Sequence, residues 1–184
     1  MSAMTVSVRR LIFLFASGLA SIAASAQSQQ PPIRLLLNEV QPGSMSTEQF
    51  CTLFFADRRF HTEKATLRHG KDLDRKVYEG ELSEADWNAL GGILDSKEFR
   101  ELKVPPTVAP LVTQDTHVYD ISVARDGNYE NMEFLNAKSL KPYEPQVKPL
   151  LQWWKSFRGR RLPESKAPVN QSCSLDNTHA VIDQ

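Results

Sequence analysis

The stretch Gly80–Leu94, Gly-Glu-Leu-Ser-Glu-Ala-Asp-Trp-Asn-Ala-Leu-Gly-Gly-Ile-Leu, most constrains what this chain can fold into. Ser83 is placed to cap a helix, Asp86 at the third helical position can close a capping box, and Leu82 can staple onto Trp87. Trp87, Leu90, Gly91 and Leu94 then share one face at the i, i+3, i+4, i+7 spacing, so the helix must bury that face against something else. Gly91 in this stripe costs about 1 kcal/mol relative to alanine, which suggests a close approach of the helix to a sheet.

Segments on both sides supply the sheet. Arg34–Val40 is short, apolar and stopped by Pro42-Gly43. Phe50–Phe55 and Phe60–Leu67 form a hairpin whose turn lacks glycine, so a type I turn led by Asp57 is expected. Arg68–Arg75 reads as a charged excursion and Lys76–Glu79 as a short further strand. Beyond Pro105-Pro106 and Pro110, Thr116–Arg125 and Tyr129–Leu135 flank Asp126-Gly127-Asn128, a strong hairpin signal. A last helix begins between Pro145 and Pro149 and ends at Gly159, with Val147, Leu150, Leu151, Trp154 and Phe157 as its apolar stripe. Lys155 and Arg158 suit its negative end. The expectation is an α+β domain: an antiparallel sheet of four to five strands carrying two helices, in the order hairpin, helix, hairpin, helix.

Residues 1–26 are excluded from this fold. Arg9-Arg10, the apolar run Leu11–Ile22 and Ala24-Ser25-Ala26 make a cleaved signal peptide, too short in its apolar part to span a membrane. The general secretory route is expected. Residues 27–33 are a flexible lead-in, 34–159 the domain, and 160–184 a polar tail. Of 22 basic and 22 acidic residues the signal holds two arginines and no acid, leaving the mature chain at 20 against 22. That balance argues against a nucleic-acid partner, which needs a basic surface. With the signal cleaved and no transmembrane segment in the mature chain, an exported protein in the periplasm or outside the cell is expected. In such an oxidising compartment Cys51 and Cys173 are expected to pair, tethering the tail and contributing about 4–5 kcal/mol through loop closure.

Gly80-x-Leu82-Ser83 with Trp87 and Leu90, Lys141-Pro142-Tyr143, and Pro149-Leu150-Leu151-x-Trp153 resemble a group of small secreted bacterial proteins of unassigned function. The resemblance implies an exported α+β domain over most of residues 35–175 with a Cys51–Cys173 link. It also implies a turn glycine where this chain has Arg58, and it implies no chemistry.

Candidate chemistry is sparse. His61 and Glu63 alternate onto one strand face, with His69, Asp72 and Asp74 following, a set that could ligate zinc, although solvated polar residues are the plainer reading. His117 with Asp115 and Asp120 permits a catalytic sketch, against which a packed strand-end histidine weighs more. No nucleophile elbow, His-Glu-x-x-His or phosphate loop occurs, and no cofactor is called for. Trp153 lies about 100° round from Trp154. With Arg158, Arg160 and Arg161 it is a possible contact for a protein or glycan partner. The expected function is a non-catalytic exported module, binding or structural. The alternatives are a small metal-dependent or other enzyme using His61, Glu63 and His69, and a proteinaceous inhibitor of a hydrolase.

Overall fold

A computed structural model describes residues 32–69, 71–105, 117–165, 173 and 175. The signal peptide, most of the lead-in, Asp115 and most of the tail lie outside the described residues. Six strands form one antiparallel sheet: β1 (Ile33–Pro42), β2 (Thr47–Phe55), β3 (Arg59–Arg68), β4 (Lys71–Glu81), β5 (Val118–Arg125) and β6 (Asn128–Phe134). Their spatial order is β4-β3-β2-β1-β5-β6, so β1 to β4 form a four-stranded meander and β1, its first strand, pairs on its other side with the later β5–β6 hairpin. Helix α1 (Glu84–Leu94) and the single turn α2 (Lys97–Arg100) follow β4, while α3 (Ala137–Leu140), a 3-10 turn (Lys141–Tyr143) and α4 (Glu144–Arg158) follow β6.

The expected α+β class holds, with corrections to its finer form. The described residues form six strands rather than four to five, and a four-stranded meander replaces the first hairpin. Arg68–Arg75 is not an excursion: Arg68 pairs with Lys71, and β4 runs on from there. Its Lys71–Lys76 half is exposed on both faces, so no apolar alternation marks it; charge on both faces suits an edge strand that must not recruit another chain. Helix α4 starts before Pro145 because the 3-10 turn leads into it, and Pro149 lies inside it at an exposed position.

The turns follow their local chemistry. Asp126 and Gly127 have φ of 48° and 80°, the two positive values a type I′ hairpin turn requires. Arg58 takes a left-handed φ of 74° in the β2–β3 turn, where a glycine was expected. Ser83 caps α1 by accepting from the Asp86 amide at 3.1 Å. Asp86 does not complete a capping box with the Ser83 amide; it accepts from the Ser83 hydroxyl and from both terminal nitrogens of Arg160. A Cβ added at Gly91 would lie 3.5 Å from the Arg34 guanidinium, ordinary contact distance, so no tight approach demands glycine there.

Gly80 is different. A Cβ there would lie 3.0 Å from the Phe60 ring and 3.4 Å from Pro163, and Phe60 is locked in the core. Gly80→Ala should therefore destabilise the fold by about 1–3 kcal/mol, read as a lowered urea midpoint at unchanged slope.

The helices cover one face of the sheet. Under them, Leu35, Leu37, Phe54, Phe60, Ile121, Val123, Met132 and Phe134 meet Leu90 and Leu94 of α1 and Val147, Leu150, Trp154 and Phe157 of α4 in one core. Trp87 packs at the margin of this core. On the opposite face a smaller apolar cluster, Ile33, Leu36, Cys51, Leu53 and Phe55, packs against Tyr129, Cys173 and Leu175.

Candidate functional site

Register across the helix-covered face grades from apolar to charged. The row Val123, Leu35, Phe54, Phe60 is hydrocarbon. The next row runs Ile121, Leu37, Thr52, Thr62, Tyr78, in which Thr52 Oγ1 accepts from Trp154 Nε1 at 3.0 Å and from the Thr62 hydroxyl at 3.1 Å. The third row is Tyr119, Glu39, Phe50, Lys64, Lys76. Helix α4 ends above this third row, so its last turns and the polar end of the sheet form the two walls of a trough.

Glu39 is the centre of the trough. It follows Leu35 and Leu37 on the same strand face and is 1% exposed, which obliges the fold to supply donors. Arg158 reaches down from the last turn of α4 and pairs with Oε2. Gln41 Nε2 donates to Oε1 at 2.7 Å, His117 Nε2 lies 2.7 Å from the same oxygen, and the Tyr119 hydroxyl bonds to the carboxylate as well. Burial works to raise the Glu39 pKa, but the bonds from Gln41, Arg158 and His117 and the Arg158 charge outweigh it and hold it below the usual value. Burial and Glu39 together raise the Tyr119 hydroxyl far above its ordinary range, which makes it a poor nucleophile at neutral pH. The Arg158 guanidinium is clamped between aromatic rings, 4.4 Å from the Phe50 centroid and 4.6 Å from that of Trp154.

Two cavities meet at Arg158. One, of about 440 Å³, lies between β5, β1 and α4 and is lined by Glu39, His117, Tyr119, Lys148, Gln152 and Lys155 among others. The other, of about 420 Å³, lies over Phe50, Thr62, Lys64 and Tyr78, with Arg160, Arg161, Leu162 and Glu164 opposite. Together they cross from β5 to β4, four strand spacings or about 19 Å.

The residues singled out from the sequence divide between the two faces. Arg158, Arg160 and Arg161 line the second cavity. Trp153 is not among its walls: it is half-buried, stacked on Phe157 at 5.7 Å and 9° and tilted against Phe54 at 5.3 Å. His117 joins Glu39, whereas Asp120 faces the opposite side, where Asn38 Nδ2 donates to it at 3.0 Å. Glu39 was missed. Its signal was present in the sequence: a carboxylate at the i+4 position of a strand whose i and i+2 residues are leucines calls for a buried cationic partner.

His61 and Glu63 lie buried on the opposite face and do come together. His61 Nε2 is 3.1 Å from Glu63 Oε1 and its Nδ1 is 3.0 Å from Glu79. Arg75 pairs with the other oxygen of Glu63, and the Cys173 amide donates to Glu63 at 3.0 Å. His69 stands exposed at the β3–β4 turn, outside this group. Among the described residues, no three His, Cys, Asp or Glu side chains are arranged to hold a metal ion. The group fastens the tail. Ser165 donates to Glu79 at 2.9 Å, the Ser165 amide bonds the Val77 carbonyl, and Cys173 is disulfide-bonded to Cys51.

This cluster has a pH signature. Burial would lower the His61 pKa, but its bonds to Glu63 and Glu79 raise it, so its contribution is full below about pH 6.5 and is lost as pH rises through the elevated folded value. Glu63 is lowered against its own burial by His61 and Arg75, so its contribution is lost as pH falls through the acid range. Stability should therefore decline from about pH 6.5 upward, and His61→Gln should flatten that decline. Urea midpoints at successive pH values check it; an unchanged slope in the variant would remove His61 as the cause. Compared with known proteins, the chain matches no family model and none of the curated proteins.

Proposed function

We propose that this chain is an exported, non-catalytic binding module whose ligand lies in the trough beside α4. The observation that carries this reading is the trough itself: an open, mixed apolar and polar depression whose floor is organised by one buried ion pair. Such depressions with a few convergent polar groups are the usual form of ligand sites. The Cys51–Cys173 disulfide and the absence, among the described residues, of a helix long and apolar enough to cross a membrane are consistent with an exported domain.

Catalysis has less support. Glu39 is already engaged by Arg158, Gln41 and His117, and Glu63 by His61, Arg75 and the Cys173 amide, while His69 stands apart from the His61 and Glu63 pair. Nothing in the geometry favours a hydrolase inhibitor. A nuclear magnetic resonance screen with a library of small carboxylates, amines and sugars tests the reading. Hits should shift the amides of Tyr119, Gln152, Lys155 and Arg161. Hits confined to the opposite face, or no hits, would overturn it.

A further inference from the structure

We infer that the trough binds a short oligosaccharide bearing carboxylates, an inference that rests on the binding-module reading and gives it a ligand class. Six cationic side chains, Lys64, Lys148, Lys155, Arg158, Arg160 and Arg161, line the two cavities against three carboxylates, Glu39, Glu144 and Glu164. Several are already committed: Arg158 to Glu39, Arg160 to Asp86, and Lys148 to Glu144 at 3.4 Å. Lys155 and Arg161 have no ion-pair partner among the described residues, and Lys64 only a 3.8 Å approach to Glu48. Lys155 lines one cavity and Arg161 the other, so the uncommitted positive charges lie on both sides of Arg158. Glu164, at the β4 end, is the uncommitted carboxylate that a ligand's own charges must avoid. A ligand that meets both cations must be elongated and carry more than one negative charge.

The lining distinguishes a glycan from a peptide. An extended peptide needs a free strand edge for its main-chain groups, and this floor is a sheet face whose backbone is already paired. A bound amphipathic helix needs an apolar groove, and the third row here carries Glu39 and Lys64. What the walls offer instead are the Tyr78 hydroxyl and the Gln152 amide, with the Gln41 amide oxygen left over from its bond to Glu39, groups that suit ligand hydroxyls that donate and accept.

The test uses tetragalacturonate as the probe, titrated into the oxidised protein by calorimetry with amide shifts recorded in parallel. Saturable binding, shifts at Gln152, Lys155 and Arg161, and weakening as salt is raised are expected. Lys155→Glu and Arg161→Glu, both at exposed positions, should each lower affinity about tenfold, whereas Lys97→Glu on α2 should not. Neutral maltotetraose should not bind. No binding of tetragalacturonate, equal binding of maltotetraose, equal binding of a hexaglutamate peptide, or shifts on the opposite face would each overturn the inference. If the fragment screen still maps to the trough while tetragalacturonate fails, the ligand class is wrong and the binding-module reading stands.

Discussion

Arg158→Met should destabilise the protein by about 3–5 kcal/mol at neutral pH, because it leaves the Glu39 carboxylate buried without its cation. The methionine fills much the same space, so the loss comes from charge rather than from a cavity. Glu39 is 1% exposed, so once Arg158 is gone its carboxylate has little water to fall back on. Gln41, His117 and Tyr119 would remain as donors, but hydrogen bonds alone leave the charge uncompensated in a low-dielectric site.

The pH dependence of this loss identifies its cause. In the native protein the lowered Glu39 pKa means that its contribution is present above the ordinary carboxylate range and lost as pH falls through the depressed folded value. Without Arg158, burial dominates, the Glu39 pKa moves up, and folding favours the protonated acid, so the variant loses stability as pH rises. The gap between the two proteins should thus narrow steadily toward acid pH. Glu39→Gln with Arg158→Met should recover most of the loss, since removing both charges removes the unpaired one. Urea denaturation of the two single variants and the double variant between acid and neutral pH provides the measurement. A pH-independent loss in Arg158→Met, or a double variant no better than the single, would show that Arg158 acts by packing on Phe50 and Trp154.

The two long helices were legible because each declares itself at several levels. Ser83, Trp87, Leu90 and Leu94 state cap and stripe for α1, and Val147, Leu150, Trp154 and Phe157 are all buried as the spacing of α4 requires. The β5–β6 hairpin was legible from Asp126-Gly127. The meander was less so, since the outer half of β4 has no buried face and hence no period. The site was legible only in part. Arg158 could be noticed at a helix end, but its role depends on Glu39, more than a hundred residues earlier, and on the register that sets Glu39 beside Tyr119 and Phe50. Pairing across such a separation is a tertiary fact. Local pattern could say that Glu39 needs a partner; it could not say which one.

Opening the Cys51–Cys173 bond should lower stability by about 4–5 kcal/mol, the chain-entropy value for a loop of this length, because the cysteines lie 122 residues apart. The loss has a native-state part as well. Cys173 and Leu175 pack on Leu36, Leu53 and Phe55, and the Cys173 amide is one of the donors to Glu63. Without the covalent tie, the Ser165 bonds still hold the start of the tail. Beyond them, the Cys173 and Leu175 contacts and one hydrogen bond to Glu63 must hold it against regained chain entropy, and these are too few to do so. The reduced protein should therefore keep its sheet and helices while uncovering the smaller apolar cluster, seen as a dye-binding signal with unchanged far-ultraviolet dichroism. The trough lies on the other face, so tetragalacturonate binding should survive reduction at temperatures well below the lowered midpoint. The Cys51→Ala, Cys173→Ala protein should behave like the reduced one. A midpoint shift no larger than that of an exposed surface substitution would mean that the tail stays docked on its own contacts. Loss of far-ultraviolet signal on reduction at low temperature would mean instead that the opposite-face cluster is part of the cooperative core, and that Cys173 closes the fold rather than merely fastening its tail.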